Sequence, residues 1–245
     1  MRAMWVAQAG MLAQQGLVDV VAHNLANVNT PGYRRVHAVV SELASERLPP
    51  GVDAGTGAAL SATLLDPSQG PLVETGMEAD LAVLGDGFFV VDAPQGERYV
   101  RGGRFRVGPD GYLMTAEGYR LRGVGRVPAE AEKLVVGSDG RVRALLPGGG
   151  SADCGRVVLA RFRSPSGLVA EGSAYAASAA SGPAVLCYPG EGGAGTLLQG
   201  FLERSNVDLA GELVQLIVAQ RAYELCARVV QVQDDMLAQA ASMKR

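Results

Sequence analysis

Apolar residues recur every seven positions at both ends of the chain: Met4, Met11, Val18 and Leu25 near the start, and Leu209, Leu216, Tyr223, Val230 and Leu237 near the end. Such a repeat holds one apolar stripe on one side of a helix and favours slow winding around another helix. The pattern predicts two helices built to pack lengthwise. The first runs from about Met4 to Val28, where Asn29-Thr30-Pro31-Gly32 stops it, because Pro31 disfavours helical geometry at Thr30 and Gly32 permits a sharp turn. The second begins near Ser205-Asn206, either of which can cap a free backbone N–H. If it reaches Ala240 it is about 50 Å long at ~1.5 Å rise per residue. Leu213, Ile217 and Ala227 join its stripe, while Gln220 and Asp234 interrupt the second seam. Neither stripe has an obvious partner within the chain.

Between the ends the texture is β. Leu81, Val83 and Leu84 lead through Gly85-Asp86-Gly87 into Phe88-Phe89-Val90-Val91, two short apolar strands about a glycine turn. Tyr99-Val100, Phe105-Arg106-Val107, Tyr112-Leu113-Met114, Tyr119-Arg120-Leu121, Leu134-Val135-Val136, Arg141-Val142 and the run Val157 to Phe162 continue the meander. Tyr33 to Leu43 fits a strand or a second short helix, and Pro49-Pro50-Gly51 with the small residues up to Gly57 reads as a connector of little packing capacity. The expected class is α+β: long N- and C-terminal helices forming a coiled-coil-like terminal domain, with a central, mostly antiparallel β domain. The expected divisions are an N-terminal helical segment at 1–40, a connector at 41–75, the β domain at 76–195 and a C-terminal helical segment at 196–245.

Composition narrows the function. The 245 residues carry a formal net charge of −3, from 22 basic and 25 acidic side chains, which gives no general pull toward nucleic acid or an anionic membrane. Partners must be recognised by shape and apolar contact. No stretch approaches the roughly 18 apolar residues that span a bilayer, since Gln8, Gln14, Gln15 and Asp19 interrupt the first run. The same polar residues and the single early Arg2 argue against a cleaved secretory signal. Cys154, Cys187 and Cys226 are widely spaced with no CxxC pair, so they read as buried or incidental thiols and not as a disulfide framework or zinc site.

Candidate chemistry is sparse. Gly190-Glu191-Gly192-Gly193-Ala194-Gly195 fits a phosphate-cradling pattern, but no βαβ unit surrounds it, and it reads as a loop. Arg101-Gly102-Gly103-Arg104 mimics an RNA-binding element, yet it is solitary and reads as a turn with a solvated face. His23 and His37 have no Cys or second His at ligand spacing. Ser138-Asp139 lies in a glycine-flanked turn that supports no triad. No catalytic residue, cofactor or metal is expected. Arg221 and Glu224, with Arg228 one turn on, fit either an ordinary solvated helix face or bonds across an interface with another chain.

The run Asn24-Leu25-Ala26-Asn27-Val28-Asn29-Thr30-Pro31-Gly32-Tyr33 resembles the N-terminal signature of the bacterial flagellar rod and hook proteins. Ser205-Asn206-Val207, Glu212-Leu213-Val214 and Gln220-Arg221-Ala222-Tyr223-Glu224 resemble the C-terminal signature of the same family, and Gly85-Asp86-Gly87-Phe88-Phe89 with Asp110-Gly111 is similar to its β domain. Met4-Trp5-Val6-Ala7, Gly10-Met11 and the run Gly51 to Gly57 look most like the distal rod members. The connector after Leu43 is shorter than theirs, and Cys226 stands where the family commonly has a polar residue. The resemblance implies a structural, self-assembling subunit of the drive shaft between motor and hook. It implies export through the flagellar type III apparatus without a cleaved signal peptide, and a periplasmic rod. Implied partners are other copies of the chain, proximal rod proteins, hook protein and surrounding ring proteins. The residues it marks for assembly, with the stripes, are Met4, Met11, Val18, Asn24, Leu25, Asn27, Pro31, Gly32, Leu209, Leu213, Leu216, Gln220, Arg221, Tyr223, Glu224, Val230 and Leu237. A proximal rod protein of the same family, and a β-domain binding module or enzyme with convergent polar residues in a pocket, are the competing readings.

Overall fold

The computed structural model describes residues 2–44, 46–48 and 52–243; the Pro49-Pro50-Gly51 part of the expected connector lies outside them. The chain divides into two compact units, one of Met1–Ala26, Val36–Leu64 and Val207–Arg245, the other of Asn27–Arg35 and Leu65–Asn206.

The first unit holds both helices, α1 (Arg2–Ala26) and α2 (Leu209–Ser242). The cap of α2 is Asp208, whose carboxylate accepts from the N–H groups of Ala210 and Gly211, both at 3.2 Å. Neither Ser205 nor Asn206 fills that place, because the backbone is still extended at Asp208 and turns helical only after it.

The helices lie antiparallel. Asn24 Nδ2 donates to Glu212 Oε2 at 3.2 Å, and further along a Cβ on Gly10 would stand 3.1 Å from Cys226 Sγ. The expectation that neither helix finds a partner in its own chain is therefore overturned. The seam is also not the one drawn from the largest apolar residues. It buries Ala7, Val21 and Asn24 on α1 and Glu212 and Ala219 on α2, with Cys226 half-buried. Small side chains are what let two backbones come close, and hydrophobicity alone does not single them out.

The segment after α1 that fitted strand or helix is a strand, Val36–Glu42, paired with Ala58–Leu65. Its residues include Val36, Val39 and Val40, β-branched side chains that suit a pleated surface. The connector expected to have little packing capacity carries hydrogen-bonded structure: Glu46–Leu48 and Val52–Ala54 pair antiparallel, Gly57 O accepts from Leu43 N at 2.8 Å, and Thr56 Oγ1 donates to Ala44 O at 2.7 Å.

The second unit is antiparallel β throughout its described pairings. Its central strand, Phe88–Ala93, pairs along one edge with Gly96–Val100. Along the other edge it pairs with Arg120–Leu121 at one end and Leu159–Arg161 at the other. Phe88, Phe89, Val90 and Val91 are all buried, which is why this run reads as continuously apolar and not alternating. Lys133–Val136, Arg141–Leu145 and Ser151–Arg156 form a separate three-stranded sheet. There Leu134, Val136, Val142 and Ala144 point to the core and Lys133, Arg141 and Arg143 to solvent, the period of two that exposes one face. Leu81–Leu84 with Thr196–Gln199, and Leu72–Glu74 with Phe201–Glu203, close the unit. Leu81, Val83, Phe89, Val91, Leu113, Leu121, Val142, Val157 and Leu159 form one continuous core.

Gly103 sits where that core leaves no space: a Cβ there would lie 1.5 Å from Leu81 O and 3.2 Å from a ring carbon of Phe89. Gly103→Ala is expected to destabilise the β unit by at least about 2 kcal/mol, since the Leu81 backbone would have to move. Urea unfolding followed by near-ultraviolet circular dichroism measures it, and an unchanged midpoint would refute the packing described.

Candidate assembly interface

In the second unit the chain segments adjoining the two terminal helices meet at a buried charge cluster. The Glu203 carboxylate, 1% exposed, pairs with Arg34 through Oε1 at 2.9 Å and with Arg101 Nε through Oε2 at 2.6 Å. Gly70 N donates to Oε1 as well, at 2.9 Å. Arg101 places its remaining donors on the carbonyls of Val83, Gly85 and Gly87, and Arg34 Nη1 donates to Ser68 O. Burial pulls the Arg101 guanidinium below its ordinary value and Glu203 opposes that pull. The expectation that Arg101 lies on a solvated turn is thus reversed. Its isolation among apolar strands was the signal of burial, because a lone cation there must be paired.

The Pro-Gly stop is part of the same construction. Gly32 has φ +70°, and a Cβ on it would stand 1.9 Å from Gly102 N, so no other residue fits. Gly32 N donates to Glu203 O at 2.8 Å. Tyr175 donates its hydroxyl to Gly32 O at 3.3 Å and accepts from Arg34 N at 3.1 Å. Next to it, Asn206 Oδ1 accepts from Arg35 N at 2.6 Å while its Nδ2 donates to Ser68 O at 3.0 Å.

In the first unit Asn24 is buried and ties three elements. Its side chain donates to and accepts from the Val36 backbone, each at 2.9 Å, and also donates to Glu212. In the second unit Asn27 accepts from Thr30 Oγ1 at 3.1 Å. The signature residues Asn24, Asn27 and Gly32 are therefore engaged within the chain, and Pro31 lies against Gly102. Among the stripe residues, Met4, Met11, Val18, Leu25, Leu216 and Val230 are half-buried, while Leu209, Leu213, Tyr223 and Leu237 are exposed. Gln220, Tyr223 and Glu224 border a shallow depression with Gln15 and Val18. Arg221 and Glu224 pair with each other at 2.9 Å on the exposed face of α2.

A second stripe went unnoticed in the sequence. Val218, Leu225 and Val232 are seven apart, Val229 and Met236 likewise, and all five are about half exposed or more. At about 100° per residue they form a row centred roughly 120° round the helix from Glu212 and Ala219, with Val218 on the side nearer the α1 seam. The helix therefore has two apolar faces, a small-residue one against α1 and a large-residue one open.

The chain's likeness to known proteins falls in three segments. Residues 4–34 match the family described as "Flagella basal body rod protein", 82–144 the "Flagellar hook protein FlgE/F/G D1 domain", and 198–243 the "Flagellar basal body rod FlgEFG protein C-terminal". The chain belongs to the flagellar basal-body rod protein family, whose members are structural and not enzymatic. It is most like the distal rod protein. It is 36% identical to the FlgG rod protein of Borreliella burgdorferi, over 100% of this chain and 99% of that one. It is 38% identical to FlgG of Buchnera aphidicola subsp. Baizongia pistaciae, over 96% of each. Likeness to the FlgF rod protein of Mesorhizobium japonicum is weaker, at 30% over 93% of this chain and 91% of that one.

Two outcomes are expected from the buried cluster. Glu203→Gln keeps the shape but strands two buried guanidinium charges, and is expected to cost the β unit on the order of 3–5 kcal/mol in a thermal or urea melt. A loss under about 1 kcal/mol would show that the pairs do not hold the unit together. Burial also pushes the Tyr175 hydroxyl up to about 12, against a pull downward from the Arg34 backbone N–H. Below pH ~10 the phenol is neutral folded or unfolded and its contribution is complete; above that the unfolded chain ionises first, so stability falls until the folded phenol titrates. Tyr175→Phe is expected to flatten this alkaline loss, measured by urea midpoints from pH 9 to 12. An equal slope in the variant would refute it.

Proposed function

We propose that the chain polymerises with copies of itself through the open faces of α1 and α2, placing a coiled-coil-like layer of terminal helices inside the rod and the β units outside, and that the polymer transmits torque to the hook. The observation that carries this reading is the second stripe of α2. An apolar row of that length on a helix already packed along another face marks an interaction surface. All five stripe positions are apolar, with Arg221 and Arg228 along one edge, so contact at the stripe itself is made by shape and dispersion.

Within this reading the subunit leaves the cytoplasm by the flagellar export route without a cleaved signal peptide, and its rod lies in the periplasm. Proximal rod proteins, hook protein and ring proteins are its neighbours along and around the shaft. Two supports are the full-length likeness to the distal rod protein and the finding that no described helix is long and apolar enough to cross a membrane.

Leu225→Asp and Leu237→Asp, both at exposed positions, are expected to leave the subunit's thermal stability within about 1 kcal/mol of the parent. Each is expected to abolish sedimentable polymer and motility, because the charge would be desolvated without a partner. Motile cells carrying either variant, with rods of normal length, would overturn the interface.

A further inference from the structure

We propose that Trp5 of one copy seats in a groove on a second copy, between the middle of α1, the start of α2 and the strand after α1. This rests on the assembly reading above and names the contact that would propagate it.

The groove has a volume of about 360 Å³ and is walled by Leu17, Val21, Val214 and Val218, with the side-chain amides of Gln14 and Gln215 among its polar groups. It carries no carboxylate, lysine or arginine, so nothing repels an apolar occupant. Trp5 is the single tryptophan of this sequence and is 70% exposed in the first turn of α1. A large aromatic so placed is unusual in a surface that stays wet, and its indole combines an apolar body with one N–H that an amide oxygen satisfies. The groove offers both.

The occupant must come from another copy. Trp5 and Val20, which also lines the groove, sit on one continuous helix, 15 residues or about 22 Å apart at ~1.5 Å per residue. A rigid helix cannot bend its own start into its own middle. Knob and groove are different patches of the same chain, so the contact is head-to-tail; it does not close into a dimer, and each copy added presents a fresh groove. An open-ended filament needs that property.

Two full-length variants test this, Trp5→Ala, which keeps the groove, and Leu17→Arg, which keeps the tryptophan and leaves the α2 stripe untouched. A second groove variant, Val214→Arg, stands in if Leu17→Arg does not fold as judged by circular dichroism. Each alone is expected to raise the self-association Kd at least tenfold in sedimentation velocity. Mixed, they are expected to form a 1:1 complex that grows no further, since only one knob and one groove remain functional. Trp5 fluorescence, arising from the groove variant alone, should shift to the blue on mixing and lose its access to acrylamide. A mixture as monomeric as its components while the parent associates would overturn the docking, as would parent polymer in which Trp5 stays quenchable or Trp5→Ala polymer that forms normally. Those results leave the assembly reading standing. A parent that never self-associates with both helices ordered would overturn that reading and this contact together.

Discussion

One carboxylate holds the second unit to its plan. Glu203 sits between the guanidinium groups of Arg34 and Arg101 with almost no access to water. Two cations and one anion in such a place are made tolerable by backbone carbonyls that take up several of the remaining N–H groups, although Arg34 Nε stays buried without a hydrogen-bond acceptor. Those acceptors belong to Ser68, Val83, Gly85 and Gly87, so the carbonyls' positions are set by the arginines as much as the reverse. Arg34 comes from the segment just after the first helix and Glu203 from the segment just before the last. Their pairing is what brings the outgoing and returning stretches of chain side by side, with Gly32 and Asn206 completing the contact by backbone bonds.

Seen this way, the two sequence signatures are halves of one arrangement. Asn24 answers Glu212 in the first unit; Gly32, Arg34 and Arg35 answer Glu203 and Asn206 in the second. Signature residues of a polymer-forming family are easily taken for contact residues between copies. Here Asn24 and Gly32 are buried, and their hydrogen bonds are internal. What they secure is the shape of each subunit, which any polymer contact presupposes.

Both helices, the Pro-Gly stop, the glycine turns and the strand-rich middle were legible in the sequence because each is a local effect, fixed by periodicity or by backbone geometry. The Glu203 cluster was not, since its members stand 102 and 169 residues apart in the chain and nothing local pairs them. Arg101 misled for the same reason, its neighbouring glycines suggesting a solvated turn. The helix seam failed differently. On α2 the residues at Leu209, Leu216 and Tyr223 repeat every seven, but so do Glu212, Ala219 and Cys226, and so do Val218, Leu225 and Val232. A seven-residue repeat states that a seam exists without stating which phase faces which partner, and large side chains draw attention away from the phase that small ones occupy.

That division of phases bears on how one subunit can be both stable by itself and adhesive to others. Packing α1 against α2 uses Ala219, Cys226 and Gly10, residues whose burial releases little apolar surface but permits close approach and dispersion contacts. The large residues Leu225, Val229, Val232 and Met236 are left over. Folding of the subunit therefore does not consume the surface that assembly would need, and ordering of the helices does not have to wait for polymer growth. The cost is a standing apolar stripe on the free subunit, which favours indiscriminate contact unless the first partner met is the right one. A groove that accepts a single aromatic knob of stated shape would supply that discrimination: the stripe contributes adhesion wherever it lands, whereas a knob contributes only when it finds its hole, so register comes from the specific contact and strength from the general one.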